Sequence, residues 1–185
     1  SLASNLVISD TNATQDVFFY DRELDITERI SVGSDGAQIE QDAFTKRPSI
    51  SADGRYVILY SNAHAQTPDS AAADTFNVYL HDRQAGLTTL LTCGYDGYPA
   101  NGDSLYPTLS DDGKWAAYYS SASNLVQGDT NYVNDVFLYD IQNQQTFRVS
   151  VASDGSQANS YSDLPAISAD GRFVAFYSFA SNLVE

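Results

Sequence analysis

Ser51-Ala52-Asp53-Gly54-Arg55, followed by the apolar run Tyr56-Val57-Ile58-Leu59-Tyr60-Ser61, decides the fold of this chain because it occurs in three versions. It returns as Ser110-Asp111-Asp112-Gly113-Lys114 before Trp115-Ala116-Ala117-Tyr118-Tyr119-Ser120. It returns again as Ser168-Ala169-Asp170-Gly171-Arg172 before Phe173-Val174-Ala175-Phe176-Tyr177-Ser178. The glycines are 59 and 58 residues apart, and a proline stands six residues before each, at Pro48, Pro107 and Pro165. A fixed period of this size marks a repeat architecture. Asp-Gly between two strand-like segments predicts a tight hairpin, because glycine supplies left-handed backbone at no steric cost.

Two further markers keep the period. Runs ending in Asp fall at 16–21, 77–82 and 135–140, and Asp-Gly pairs fall at 35–36, 96–97 and 154–155. The runs are aromatic and β-branched, bounded by Gly, Asp, Asn and Pro, so they read as strands. Their apolar character is nearly continuous, which predicts burial on both faces of a sheet. No window has helical period with start and stop signals. Each repeat then holds strand a (48–51, 107–110, 165–168), strand b (55–61, 114–120, 172–178), strand c as above, and strand d (26–32, 87–93, 146–151). The expectation is an all-β chain of β-propeller blades, each of four antiparallel strands, in three repeats of about 59 residues. Residues 44–95 and 105–152 read as whole blades. A third is split, with strands c and d in 1–33 and strands a and b in 165–178. Leu2–Val7 and Phe179–Val184 read as the same stretch of the repeat. Three blades fall short of the usual four to eight, whereas two chains bring six. The expected assembly is a six-bladed homodimer, and the alternative is a fragment of one longer propeller chain that carries the neighbouring blades.

The three Ser-x-Asp-Gly-basic segments, each before an apolar strand, resemble the WD40-like repeats of the TolB type (PD40). Ala52, Asp111 and Ala169 stand where that family usually has proline. The resemblance implies a propeller of periplasmic or secreted proteins that serve mainly as protein-binding platforms. It also takes in propellers attached to peptidases. Ser110–Trp115 is similar to the Asp-box of sialidase-type propellers, but that motif needs one more residue between Asp and Gly, and the other two copies lack the Trp.

Nine Lys+Arg against 24 Asp+Glu give a net charge of −15. That balance argues against nucleic acid and anionic membrane surfaces as partners, since both require clustered cations. Thirteen Tyr, nine Phe and one Trp argue for a packed core. The single cysteine, Cys93, excludes an internal disulfide and reads as a small apolar filler. No apolar run approaches the roughly 20 residues of a membrane helix.

The candidate chemistry lies between strands b and c. Asp10-x-Asn12-x-x-x-Asp16 and Asp129-x-Asn131-x-x-x-Asp135 share the pattern D-x-N-x-x-x-D at matching positions. Ca²⁺ takes several oxygen ligands from carboxylates and amides on such loops, so these six residues are candidate metal ligands. The same residues also suit Asx-turns that cap the loop backbone. In the middle repeat, Asp69–Asp74 lacks the Asn. Asp21, Asp82 and Asp140 are expected to accept hydrogen bonds within the c–d turn. The repeats differ at Glu40, Lys46, Arg47, His64, His81 and Trp115. No nucleophile elbow or phosphate loop is present, and no carboxylate pair stands out from the repeated ones. The expected function is therefore a non-enzymatic scaffold binding a protein or glycan, in the periplasm or outside the cell. The alternative is a glycosidase or the propeller fragment of a larger hydrolase.

Overall fold

The computed structural model describes residues 2, 4–8, 10–39, 45–63 and 75–184. Among them are twelve strands and no helix. β1 (Phe18–Asp21) and β2 (Ile26–Arg29) form a two-stranded sheet. β3 (Thr45–Ile50), β4 (Tyr56–Ser61), β5 (Asn77–Asp82) and β6 (Leu87–Leu90) form a four-stranded sheet in that order. β7 (Ser104–Leu109), β8 (Trp115–Ser120), β9 (Asp135–Asp140) and β10 (Gln145–Arg148) repeat it. β11 (Ser162–Ile167) and β12 (Val174–Ser178) form a final pair. All pairing is antiparallel, with equivalent register in the two larger sheets: Tyr56 faces Asp82 as Trp115 faces Asp140.

The hairpins form for the reason their sequence suggests. Gly54, Gly113 and Gly171 have φ of 70°, 68° and 72°. The preceding Asp accepts from the Ser hydroxyl two residues before it and from the backbone N–H two residues after it. In the first copy Ser51 Oγ lies 2.6 Å and Arg55 N 3.0 Å from Asp53 Oδ1. The other two copies repeat both bonds within 0.1 Å. Asp21, Asp82 and Asp140 accept two backbone N–H bonds each in their c–d turns, as expected.

Strand a starts three residues earlier than the sequence suggests. It runs through its proline with a register shift, and Arg47, Tyr106 and Leu164 just before the proline have φ of 54°, 52° and 50°. Proline has no N–H for the ladder, so the strand bulges there and pairing resumes on either side. Strand d is shorter than expected, ending at Arg29, Leu90 and Arg148. One further bond, such as Leu91 N to Val78 O at 2.9 Å, extends the pairing past each end.

The core lies between successive sheets. Val57 and Leu59 of β4 pack with Val17 and Ile30, which flank β1 and β2, while Ile58 and Tyr60 pack with Ala116, Tyr118 and Phe137 of the following sheet. Alternate side chains of one strand thus serve two interfaces, which explains the near-continuous apolar runs. Each fully buried side chain of this size is worth roughly 1.5–3 kcal/mol against exposure.

Candidate functional site

The register brings the end of strand b, the start of c, the end of d and the start of a to one side of the fold. That side carries both D-x-N-x-x-x-D loops. In the second loop Arg148, from the end of β10, places NH1 3.4 Å from Asp129 Oδ1 and 3.6 Å from Asp135 Oδ2. NH1 also donates to Gln157 Oε1 at 2.8 Å, and Gln157 Nε2 donates to Thr130 Oγ1 at 2.7 Å. The carboxylates are almost sealed, with 3% and 0% of their side chains exposed. Burial, and next the charge of Asp135, push the Asp129 carboxyl above its usual range, and Arg148 pulls it back. Ser150 Oγ donates to the other Asp135 oxygen at 2.5 Å.

The first loop repeats part of the arrangement. Arg29 NH1 lies 3.4 Å from Asp10 Oδ1, Gln38 Nε2 donates to the same oxygen at 3.4 Å, and Ser31 Oγ donates to Asp16 at 2.5 Å. In both loops the Asn makes an Asx-turn. Asn12 Oδ1 accepts from Thr14 N, and Asn131 Oδ1 accepts from Val133 N. The Asn131 amide donates to Asp135 Oδ2 and to Ala158 O, both at 2.9 Å.

Asp129, Asn131 and Asp135 therefore converge beside Arg148, whereas in the first loop Arg29 approaches Asp10, Asp16 accepts from Ser31, and Asn12 caps its own turn. The second set does not fit Ca²⁺ as arranged. Arg148 lies within 3.6 Å of both carboxylates, the Asn131 carbonyl oxygen accepts Val133 N–H, and the Asn131 amide donates to Asp135. Among the described residues no group of three His, Cys, Asp or Glu side chains is placed to hold a metal.

Sequence reasoning missed Arg29 and Arg148, yet a signal was there. The middle repeat has Leu90 where they stand, and it also has Asn77 for Asp16 and Asp135, Ala71 for Asp10 and Asp129, and Pro99 for Gln38 and Gln157. The arginine and its carboxylates come and go together. Thr92 Oγ1 still donates to Asn77 Oδ1 at 2.8 Å, so the neutral version keeps the hydroxyl bond without the charges.

Four tyrosines stand out on the same side: Tyr95, Tyr98, Tyr132 and Tyr161 are exposed in the b–c and d–a loops or beside them. Further in, the rings of Tyr60, Tyr106 and Tyr119 stack at 6.0 and 5.5 Å, with the Arg47 guanidinium 4.4 Å over Tyr106. Burial, chiefly, raises the Tyr119 hydroxyl to about 12, so it stays protonated at neutral pH.

The remaining singular residues have structural partners. His81 is buried with Nδ1 3.0 Å from Thr88 Oγ1, and burial lowers its pKa. Trp115 lies against Gly171, where a Cβ would overlap its ring. Lys46 is on an exposed part of β3. Cys93, expected as a buried filler, is exposed, with Sγ 3.6 Å from Tyr98 O. It sits past the end of β6 in an isolated bridge to Pro99, where the sheet no longer covers it. Glu40, His64 and Asp69–Asp74 lie outside the described residues.

No family model and no curated protein sequence matches the chain. Solved structures do. The tricorn protease superposes with a TM-score of 0.55 at 14% identity, over 91% of this chain and 13% of that one. A prolyl endopeptidase structure gives 0.54 at 13%, over 87% and 22%. A TolB-assigned protein from Agrobacterium tumefaciens gives 0.50 at 15%, over 91% and 52%. The chain spans about half or less of each of these proteins, and at such identities the likeness speaks for fold alone. Repeated four-stranded sheets, Ser-x-Asp-Gly hairpins and this superposition together establish a β-propeller fold like that of these structures.

Proposed function

We propose that this chain is a non-enzymatic propeller scaffold that binds a protein ligand through the side carrying Tyr95, Tyr98, Tyr132 and Tyr161. The observation that carries the reading is the gathering of these exposed rings on one side. Tyrosine offers a large amphipathic contact area and is enriched in interfaces. The repeated Asp, Ser and Asn side chains meanwhile serve the turns and the arginine clamps that hold the loops in place. With a net charge of −15 the favoured ligand is basic, because complementary charge speeds encounter and selects partners. The proposal includes loops held by Arg29 and Arg148 in place of the Ca²⁺ that their spacing suggests. It also includes a periplasmic or extracellular location, as for the TolB-type proteins the repeats resemble.

The test is a titration with a lysine-rich peptide, beside panels of glycans and of glycoside and peptide substrates. The expected result is salt-sensitive peptide binding that Tyr98→Ser and Tyr132→Ser weaken several-fold, with no turnover. Binding to a glycan alone would replace the ligand class. Turnover abolished by a single Asp or Glu substitution would favour the hydrolase reading instead.

A further inference from the structure

We infer that His81 is a pH-sensitive latch on the seam between the β1–β2 and β3–β6 sheets, closed while the imidazole is neutral and loosened when it is protonated. Val17 and Ile30 meet Val57, Leu59 and Tyr79 across this seam. His81 follows Tyr79 by two residues on β5 and stands opposite Val57 on β4, so it shares their face of the second sheet. It is 3% exposed.

One hydroxyl links the ring to the neighbouring sheet. Thr88 stands opposite His81 on β6 and donates its Oγ1 proton to Val32 O, just past β2, at 2.8 Å. A carbonyl can only accept, so that proton is committed. The 3.0 Å contact between His81 Nδ1 and Thr88 Oγ1 is therefore an N–H donated by the ring. The neutral imidazole carries its proton on Nδ1, and a second proton must go to Nε2. Ser34 Oγ strengthens the joint from the other side by donating to Thr88 O at 2.6 Å.

The charged groups around the ring are already engaged. Glu28, on β2, is paired with the Arg83 guanidinium at 2.9 Å. Arg83 also covers the Phe19 ring and donates to Gly54 O, and its charge repels an imidazolium. Asp82 is paired with Arg55 at 2.7 Å. Asp21, at the end of β1, accepts from Glu23 and Leu24 N–H near the same Arg83. Burial outweighs the pull of Glu28 and Asp82, so the imidazole titrates below its ordinary value. The closed seam thus binds fewer protons than the opened one, and acidification through the unperturbed value of about 6.5 favours opening. The next seam has Tyr139 at this position, opposite Thr146, and burial keeps that hydroxyl protonated.

NMR titration of the full chain, with urea melts and amide exchange at about pH 7.5 and 5.5, tests this. His81 should titrate below about 6.5. Wild type should be less stable at the lower pH. There the amides of β1 and β2 should exchange several-fold faster relative to those of β8 and β9, after correction for intrinsic rates. His81→Tyr, which restores the residue of the other repeats, and His81→Gln should abolish the response, and His64→Gln should keep it. A His81 imidazole that titrates at or above about 6.5 would overturn the proposal, even if both variants failed to fold. So would equal stability at the two pH values, or acceleration uniform across the four strands. A response that survives both substitutions at His81, or vanishes in His64→Gln, would overturn it too.

Discussion

Replacing Arg148 with leucine asks the second clamp to work without its cation. The guanidinium sits 3.4 and 3.6 Å from two buried carboxylates and donates to Gln157 at 2.8 Å. Removing one member of a buried ionic group typically costs about 3–5 kcal/mol, because the remaining charges are left desolvated and unpaired. At roughly 2–4 °C per kcal/mol for a chain of this size, Arg148→Leu should lower the melting temperature by about 6–20 °C. The middle repeat shows which companion changes make leucine acceptable. Asp129→Ala and Asp135→Asn reproduce Ala71 and Asn77, and with Arg148→Leu they should recover most of the loss. Calcium sharpens the experiment. Wild type should melt at the same temperature in Ca²⁺ and in EDTA. Arg148→Leu alone empties a two-carboxylate loop. With a dissociation constant of about 10⁻³ M, tenfold excess Ca²⁺ should return roughly 1.4 kcal/mol. Thermal melts of wild type, single and triple variants decide the matter. An unchanged Arg148→Leu melt, a triple variant no better than the single, or a wild type stabilised by Ca²⁺ would refute the reasoning.

Four other outcomes follow from particular residues. Hydrogen bonds hold the Asp53, Asp112, Asp170, Asp82 and Asp140 carboxyls below their usual range. Their contribution is present above the unfolded value of about 3.9 and is lost as pH falls through the folded values, so stability followed by urea melts should drop below about pH 4. The raised Asp129 works in the opposite sense, gaining as it protonates, and a variant lacking it should lose more on acidification than wild type. Gly113→Ala should destabilise more than Gly36→Ala in a thermal melt, since both have positive φ but only the former brings a Cβ against Tyr56. Cys93 should react stoichiometrically with a thiol reagent in the native protein, without denaturant.

Much of this fold was legible because its repeats are internal copies. Asp53-Gly54-Arg55 and its two relatives fixed the hairpins, and the apolar runs ending at Ser61 and Ser120 fixed the doubly buried strands. The start of strand a was misplaced because proline ordinarily ends a ladder, whereas here Arg47, Tyr106 and Leu164 absorb it in a bulge. The loops were half legible. Spacing identified Asp10, Asn12 and Asp16, and Asp129, Asn131 and Asp135, as clusters. It could not supply the central charge, because that comes from strand d, 19 residues after Asp10 and Asp129. Cys93 escaped because exposure just past a strand end depends on how far the neighbouring strands extend.

Calorimetric titration of the full chain with a lysine-rich peptide tests the central claim, a tyrosine-bearing binding side, most directly. Binding should weaken as salt rises and should fall several-fold in Tyr98→Ser and in Tyr132→Ser, whose rings are exposed on that side. Peptide affinity equal in wild type and in both folded variants, or no binding by wild type, would contradict it.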